Sequence, residues 1–404
     1  MNAYYNHVKR ICGLSRFQEL DAWAQDSKRV FSRVDNYFHA DLRVFTTTMI
    51  PSELLLSFDI ASLDSEEVAP IIESMGSASS EREKCIEAAT AIGLGLDVCP
   101  YPLITVGAFK RGLLPIPDAF IGSSYMCNDQ YEMIKLLAYR YKKPNFIFDI
   151  PYWHDICNME TREYVITQMK RFISFLESIT NRRFNYDHFV EVMDCSSKTY
   201  QILEMIKAER KGGIDVSGSD FPYLYGSQVM FGDSENQKMY ETLLEELVSK
   251  RGSDRGRLRA LWINIIPLRK KRIIKAIEKE FNIDIVYDEI SSCNASDMIS
   301  GPHLPSLATK YLSGTYLNGI GRRKERLSRI VKEYHIDIAF GFSYARCKST
   351  SASVSNLWGV LEANGIPYQE WTVESISGSE ISDERIRTDI QNLVQIAASN
   401  KCSM

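Results

Sequence analysis

The sequence predicts an α/β protein built from two parallel sheets, each covered by helices, with a helical N-terminal arm and a helical insert. Two observations carry this reading. Short runs rich in β-branched and aromatic residues alternate with helix-period segments in two separate blocks, and such alternation builds parallel sheets through crossover helices. Between the blocks, from Glu160 to about residue 250, the apolar period is helical almost throughout. A chain of 404 residues has room for two or three domains.

Taken in order, residues 1–40 place Phe17, Leu20, Trp23, Val30, Phe31 and Val34 at helical spacings, which gives the arm. The first α/β block, 41–157, has strand-like runs at 43–50, 119–122 and 146–150. The helical segment, 158–255, is interrupted by the turn-rich Lys-Gly-Gly-Ile-Asp-Val-Ser-Gly-Ser at 211–219 and closes at Arg-Gly-Ser-Asp-Arg-Gly, 251–256. The second α/β block, 256–404, has strands at 258–266, 283–287, 336–341 and 368–373, with helices at 268–281 and 323–334 between them. Two blocks of the same alternation suggest an architectural duplication, although no repeat is visible in the residues themselves.

Composition excludes several functions. A formal net charge of -4 supplies no basic field for nucleic acid. The first ten residues lack an apolar signal core, and no run approaches the roughly 18 apolar residues of a membrane span, so a cytoplasmic protein is expected. Neither GxGxxG nor GxxxxGK[ST] occurs, so the chain itself is not expected to bind NAD or hydrolyse ATP. Nine cysteines without a signal peptide argue for reduced thiols or metal ligands rather than a disulfide framework.

Three of those cysteines stand out by local sequence. Cys127 and Cys347 follow strand-like runs by a few residues, where open α/β sheets bind ligands. Cys99 precedes Pro100 at a helix start, where the dipole favours a thiolate. Thiolates are soft ligands suited to iron–sulfur clusters. The others, Cys12, Cys85, Cys157, Cys195, Cys293 and Cys402, read as apolar residues or inert thiols.

The local sequences around these positions resemble the 2-hydroxyacyl-CoA dehydratase and benzoyl-CoA reductase family of iron–sulfur enzymes. The resemblance runs in order through Thr46-Thr47-Thr48-Met-Ile-Pro51-Ser-Glu53-Leu, Gly95-Leu-Asp97-Val-Cys99, Pro115-Ile-Pro117-Asp118 to Cys127, Lys143-Pro144 to Pro151, Asp337 to Cys347, Gly365-Ile-Pro367 and Arg385-Ile-Arg387-Thr388. It implies two Rossmann-like α/β domains and a [4Fe–4S] cluster held by Cys99, Cys127 and Cys347, with one open iron. It also implies a related second subunit or a second copy as partner, an ATP-dependent iron–sulfur activator as electron donor, and an acyl-CoA substrate. In the dehydratases one electron makes a ketyl radical of the thioester, which expels the 2-hydroxyl group, loses the acidified 3-proton and returns the electron. A side-chain base alone cannot take that proton from a saturated carbon, and the cofactor supplies the hard chemistry.

For acid–base or hydrogen-bonding help the resemblance points to Thr48, aligned with a substrate-side serine, and Glu66, downstream of the same segment, is a candidate acidic partner. Read without the resemblance, the threonines favour a strand edge and Glu66 a solvated helix start. His154 and Arg346 read as structural or surface residues, and the basic run at 268–275 as the solvated face of an amphipathic helix. Asn264-Ile-Ile-Pro267 departs from the glycine that many relatives place before this proline, and the threonine segment lacks a preceding Gly-Trp. Both differences touch the acyl pocket and leave three readings: a dehydratase subunit, a benzoyl-CoA-reductase-like or other reductase subunit, and an electron relay without a substrate site.

Overall fold

The computed structural model describes residues 2–13, 20–75, 80–125, 127–151, 159–228, 230–252, 256–267, 269–292, 303–314, 319–349, 351, 354–374, 376 and 378–402. They form two compact units: residues 1–203, 226–243 and 297–313 make the first, and residues 204–225, 244–296 and 314–404 the second.

The first unit holds helices α1 (Ala3–Gly13) and α2 (Asp21–His39), strand β1 (Arg43–Thr46), α3 (Ser52–Leu56), β2 (Ala61–Asp64), α4 (Ser65–Glu73), α5 (Ser80–Thr90), α6 (Pro100–Lys110), β3 (Ala119–Ser123), α7 (Asn128–Tyr141), β4 (Asn145–Phe148) and α8 (Met159–Thr180). Its strands are all parallel, in the order β2-β1-β3-β4. Phe45, Phe109 and Phe120 meet edge to face in the core, with ring centroids 4.8 Å apart for the first pair, an arrangement that suits their quadrupoles. On α6, Gly107 lies against α5 so closely that a Cβ would fall on the Cys85 backbone. Gly107→Ala is therefore expected to cost about 2 kcal/mol by overpacking, measured as a lowered thermal or urea midpoint.

Three helices run across the chain boundaries of the units: α9 (Tyr186–Gly212), the short α10 (Tyr225–Gln228) and α11 (Ser234–Ser249). The second unit adds β5 (Leu258–Ile263), α12 (Lys271–Glu280) and β6 (Ile283–Asp288); α13 (His303–Leu312) belongs to the first unit; α14 (Gly319–Glu333), β7 (Ile338–Tyr344), α15 (Ser355–Ala363), β8 (Tyr368–Val373) and α16 (Asp383–Cys402) complete the second. Its sheet is again parallel, in the order β6-β5-β7-β8. The two sheets thus repeat one strand order, the duplication that the sequence suggested.

Alternation along the strands of the second sheet explains its two cores. Ala260, Trp262, Ile285, Phe340, Phe342 and Trp371 point to one face, packed on α12 and α16; Leu261, Ile263 and Ala339 point to the other, packed on α14 and α15. A register shift beyond Ala260 inserts one extra residue in β6, which puts Val286 and Tyr287 on the same face. The basic run is more than a solvated face. Ile273, Ile274 and Ile277 of α12 are buried, while Lys271 and Lys275 clasp Asp220 at 2.8 and 3.1 Å and buried Lys270 pairs with Asp383.

Three strands end earlier than the runs expected for them; β4 stops at Phe148, and the other two have a visible cause. β1 stops at Thr46, because the Ser123 N–H goes to the Thr47 hydroxyl (3.1 Å) and Met49 turns into the left-handed region at φ 64°. β5 stops at Ile263, because buried Asn264 takes φ 65° and spends its side-chain amide on the Phe342 carbonyl at 3.1 Å. Asparagine tolerates that conformation; methionine rarely does, and such strain gathers at functional sites.

Candidate functional site

The register of the first sheet brings several sequence-predicted residues to one edge. Thr46 pairs with Asp64 on β2 and with Ile121 on β3. Residues just beyond each of these, Thr47 and Thr48, Ser65 and Glu66, and Ser124, Tyr125 and Cys127, therefore share the carboxyl edge of the sheet, where doubly wound folds place their ligands. The threonines are not equivalent there. Thr46 donates to Asp64 Oδ2 at 3.2 Å, and Thr47 accepts from the Ser123 N–H. Thr48 is only 9% exposed, and its hydroxyl is the one of the three that makes no hydrogen bond among the described residues.

Asp64, beside Thr46, caps α4 by accepting the Glu66 N–H at 2.8 Å. The Asp-Ser-Glu-Glu order at 64–67 is the helix-start pattern that makes this geometry legible. Glu67 turns away to an ion pair with Arg33 of α2 at 2.6 Å. Glu66 turns instead toward α7, where Gln130 donates to its Oε1. Pro70 has no N–H to return to the Glu66 carbonyl, so α4 lacks one internal bond at this residue. Glu66 is half-buried, not the solvated residue of the bland reading. Burial first, and the Asp64 charge second, push its carboxyl up to about 8; burial and Glu67 push Asp64 up to about 7. A carboxyl poised near neutrality is suited to giving and taking a proton.

Two of the thiols, Cys99 and Cys127, stand at the same edge. Cys99 is the N-cap of α6, with Pro100 at the first helical position, and Cys127 is the N-cap of α7. Asp129, in the first turn of α7, accepts the Cys99 N–H at 3.1 Å and so ties the two caps together. Both cysteines are half-buried, and both sit where a helix leaves N–H groups unmet and its dipole favours a thiolate. Cys347, in the second unit, lies past the end of β7, its N–H bonded to the Tyr344 carbonyl at 2.9 Å, and it is half-buried too. Among the other thiols, burial pushes Cys12 up to about 11 and raises Cys85 and Cys195. No three His, Cys, Asp or Glu side chains among the described residues stand close enough together to hold a metal ion. The fit to a cluster therefore rests on donor chemistry: soft thiols at helix caps, with Cys99 and Cys127 joined through Asp129 in the first unit. Arg346 pairs with Glu374 at 3.2 Å. His154, Cys157 and Cys293, and the side chain of Cys402, lie outside the described residues.

The family described as 2-hydroxyglutaryl-CoA dehydratase, D-component, matches residues 47–396, from the threonine segment to the last helix. The chain belongs to that family. It is 23% identical to the (R)-2-hydroxyisocaproyl-CoA dehydratase alpha subunit of Clostridioides difficile, over 88% of this chain and 90% of that one. Identity to the alpha subunit of lactoyl-CoA dehydratase from Anaerotignum propionicum is 22% over 89% and 92%, and to a subunit of the benzoyl-CoA reductase of Thauera aromatica 25% over 76% and 77%. The family is thus one of 2-hydroxyacyl-CoA dehydratase component subunits. No helix among the described residues is long and apolar enough to cross a membrane.

Sequence reasoning missed two parts of this edge. The Pro-x-Glu-Leu glutamate, Glu53, is fully buried, paired with Lys310 of α13 and bonded to Ser196 of α9 at 2.8 Å. Burial works against its charge, but these partners hold its carboxyl below the usual range. Its role is to pin α3 beneath the threonine turn, and its partner 257 positions away left no local signal. Gln130 was missed as well, since a glutamine in a helix's first turn has no pattern of its own.

Proposed function

We propose that this chain is an iron–sulfur subunit of a 2-hydroxyacyl-CoA dehydratase, removing water from a 2-hydroxyacyl-CoA to give the 2-enoyl-CoA by a ketyl-radical route. What supports this most is the edge of the first sheet, where two linked helix-cap thiols share a site with a carboxyl held near neutrality, in a chain similar to dehydratase alpha subunits. Cys99, Cys127 and Cys347 would hold a [4Fe–4S] cluster, which supplies the single electron and an open iron as Lewis acid for the thioester. A second, related subunit or a second copy of the chain would complete the enzyme, and an ATP-hydrolysing iron–sulfur activator would deliver the electron.

The proton inventory falls to this chain's own residues. Near neutral pH Glu66 carries its proton and gives it to the departing 2-hydroxyl, so that water leaves and a carboxylate remains. That carboxylate then takes the acidified 3-proton, and Glu66 returns to its starting state. Raised affinity for one proton serves both halves, which an ordinary glutamate could not do. Thr48 offers its uncommitted hydroxyl to a substrate oxygen, while its methyl narrows the space for the acyl group. The similarity to a benzoyl-CoA reductase subunit favours ring reduction as the second reading, with Glu66 then donating to a reduced ring.

The test is direct. The chain, produced anaerobically with its partner and activator, is given ATP and a panel of 2-hydroxyacyl-CoAs; enoyl-CoA is expected, and reduction of an aromatic acyl-CoA with no dehydration of any member would select the second reading. Within that assay Thr48→Ser is expected to keep most of the rate, whereas Thr48→Val loses roughly 10- to 100-fold in kcat/KM, as for one lost hydrogen bond to the reacting group.

A further inference from the structure

The first turn of α7 holds a side chain that the proposed chemistry does not use. Gln130 is 7% exposed, donates from Nε2 to Glu66 Oε1, and accepts at Oε1 from the Ser65 hydroxyl at 2.7 Å. Ser65 itself is 1% exposed. Three polar groups thus run from Ser65 at the start of α4 to Gln130 at the start of α7 and back to Glu66 of α4, the carboxyl that would carry the proton. On the same turn Asp129 holds Cys99, and one residue before the helix stands Cys127.

We propose that Gln130 is a positioning residue for Glu66: an amide that holds this carboxyl in one place in both of its protonation states by turning over, and that fixes it relative to the cysteine-bearing turn of α7. The proposal rests on the reading of Glu66 as the proton carrier.

Donors and acceptors must match in both protonation states. An ionised carboxylate only accepts, so Gln130 must present its NH2 to Glu66, and its carbonyl then faces the Ser65 hydroxyl, which donates. A protonated carboxyl has an O–H to give and needs an acceptor. Rotating the amide by half a turn presents the carbonyl to Glu66 and the NH2 to Ser65, whose hydroxyl now accepts. No charge moves, and no group is left without a partner in either state. Other side chains fail this test. A lysine would hold Glu66 ionised, a second glutamate would repel it, and a leucine would leave a half-buried carboxyl without a partner, which is costly. The structure holds the first of these orientations, with the NH2 on Glu66 and the carbonyl on Ser65; the turned one suits the protonated carboxyl.

Among the described residues the charges around Glu66 are few. Asp64 stands beside it on β2, Glu67 is neutralised by Arg33 of α2, and Asp129 of α7 is bonded to the Cys99 N–H. At the far end of α4, Glu73 faces Arg82, and His7 of α1 meets Ser74. None of these supplies a cation to Glu66 itself, so a neutral amide is the group left to orient it.

The experiment is pH-difference infrared spectroscopy on the full chain without substrate, with Glu66→Gln subtracted to isolate the Glu66 band. Wild type is expected to show one narrow carboxyl band titrating at about 8. Gln130→Met keeps length and apolar bulk but makes no hydrogen bond. It is expected to broaden the band and raise its titration by about one pH unit, a tenfold change, with iron content unchanged and kcat down roughly tenfold at constant KM. Gln130→Glu, which keeps the shape, is expected to move the titration upward as well and covers the case in which the methionine variant does not fold. A Glu66 band that neither variant moves or broadens would overturn the proposal. If the band shifts while Glu66→Gln turns over at the wild-type rate, the positioning stands and the proton-carrier reading falls.

Discussion

Glu66→Gln is expected to lower kcat by about 1000-fold or more, because the residue is asked to supply both the acid and the base of one elimination, and general acid–base catalysis is worth roughly 100- to 10,000-fold. Glutamine keeps the volume and a partner for Gln130 but carries no transferable proton. In the wild type the active form is the protonated one, so kcat/KM should fall as pH rises through about 8. The same substitution should stabilise the protein. A glutamate that titrates near 4.5 when unfolded and at about 8 when folded binds an extra proton in the folded chain between those values. Its contribution is fully present below about 4.5 and is lost as pH rises through about 8, where an ionised carboxyl must be kept in a poorly solvated place. Glu66→Gln should therefore gain roughly 1–3 kcal/mol at alkaline pH and nothing at acid pH. Urea unfolding at several pH values, run beside turnover, reads both effects. A variant that loses activity while gaining stability is the signature of a strained functional group, whereas a structural glutamate would lose both.

How much of this was legible beforehand follows from range. The two parallel sheets were readable because buried parallel strands carry their own apolar runs, as in the fully buried Ile338–Tyr344. β2 (Ala61–Asp64) was not, being four residues with a polar serine and aspartate. Strand ends were misplaced where a single backbone angle, at Met49 or Asn264, ended an apolar run that composition would have continued. At the site, Cys99 could be placed at a helix start because proline marks the first helical position, and Cys127 and Cys347 because they follow strands. Asp64 was hidden in plain view, in a helix-start pattern whose glutamates drew attention first. Gln130 and the Glu53–Lys310 pair are long-range contacts, and nothing in the local sequence encodes them.

The other large effect concerns the thiols. Cys99→Ser, Cys127→Ser and Cys347→Ser should each abolish turnover, since a serine hydroxyl is a harder and far less acidic donor than a thiol. They should do so with little loss of fold, because all three residues are half-buried, Cys347 at the margin of the second unit's core, and serine is close to cysteine in size. Cys195, whose thiol reaches the Phe231 carbonyl at 3.7 Å and is raised by burial, serves as the control. Cys195→Ser should leave the metal in place.

Iron and acid-labile sulfide, measured on anaerobically produced protein with ample iron, test the central claim most directly. About four irons and four sulfides per chain are expected in the wild type and in Cys195→Ser. A clear loss is expected in each of Cys99→Ser, Cys127→Ser and Cys347→Ser. A wild-type chain without iron, or three serine variants that keep their iron in full, would contradict it.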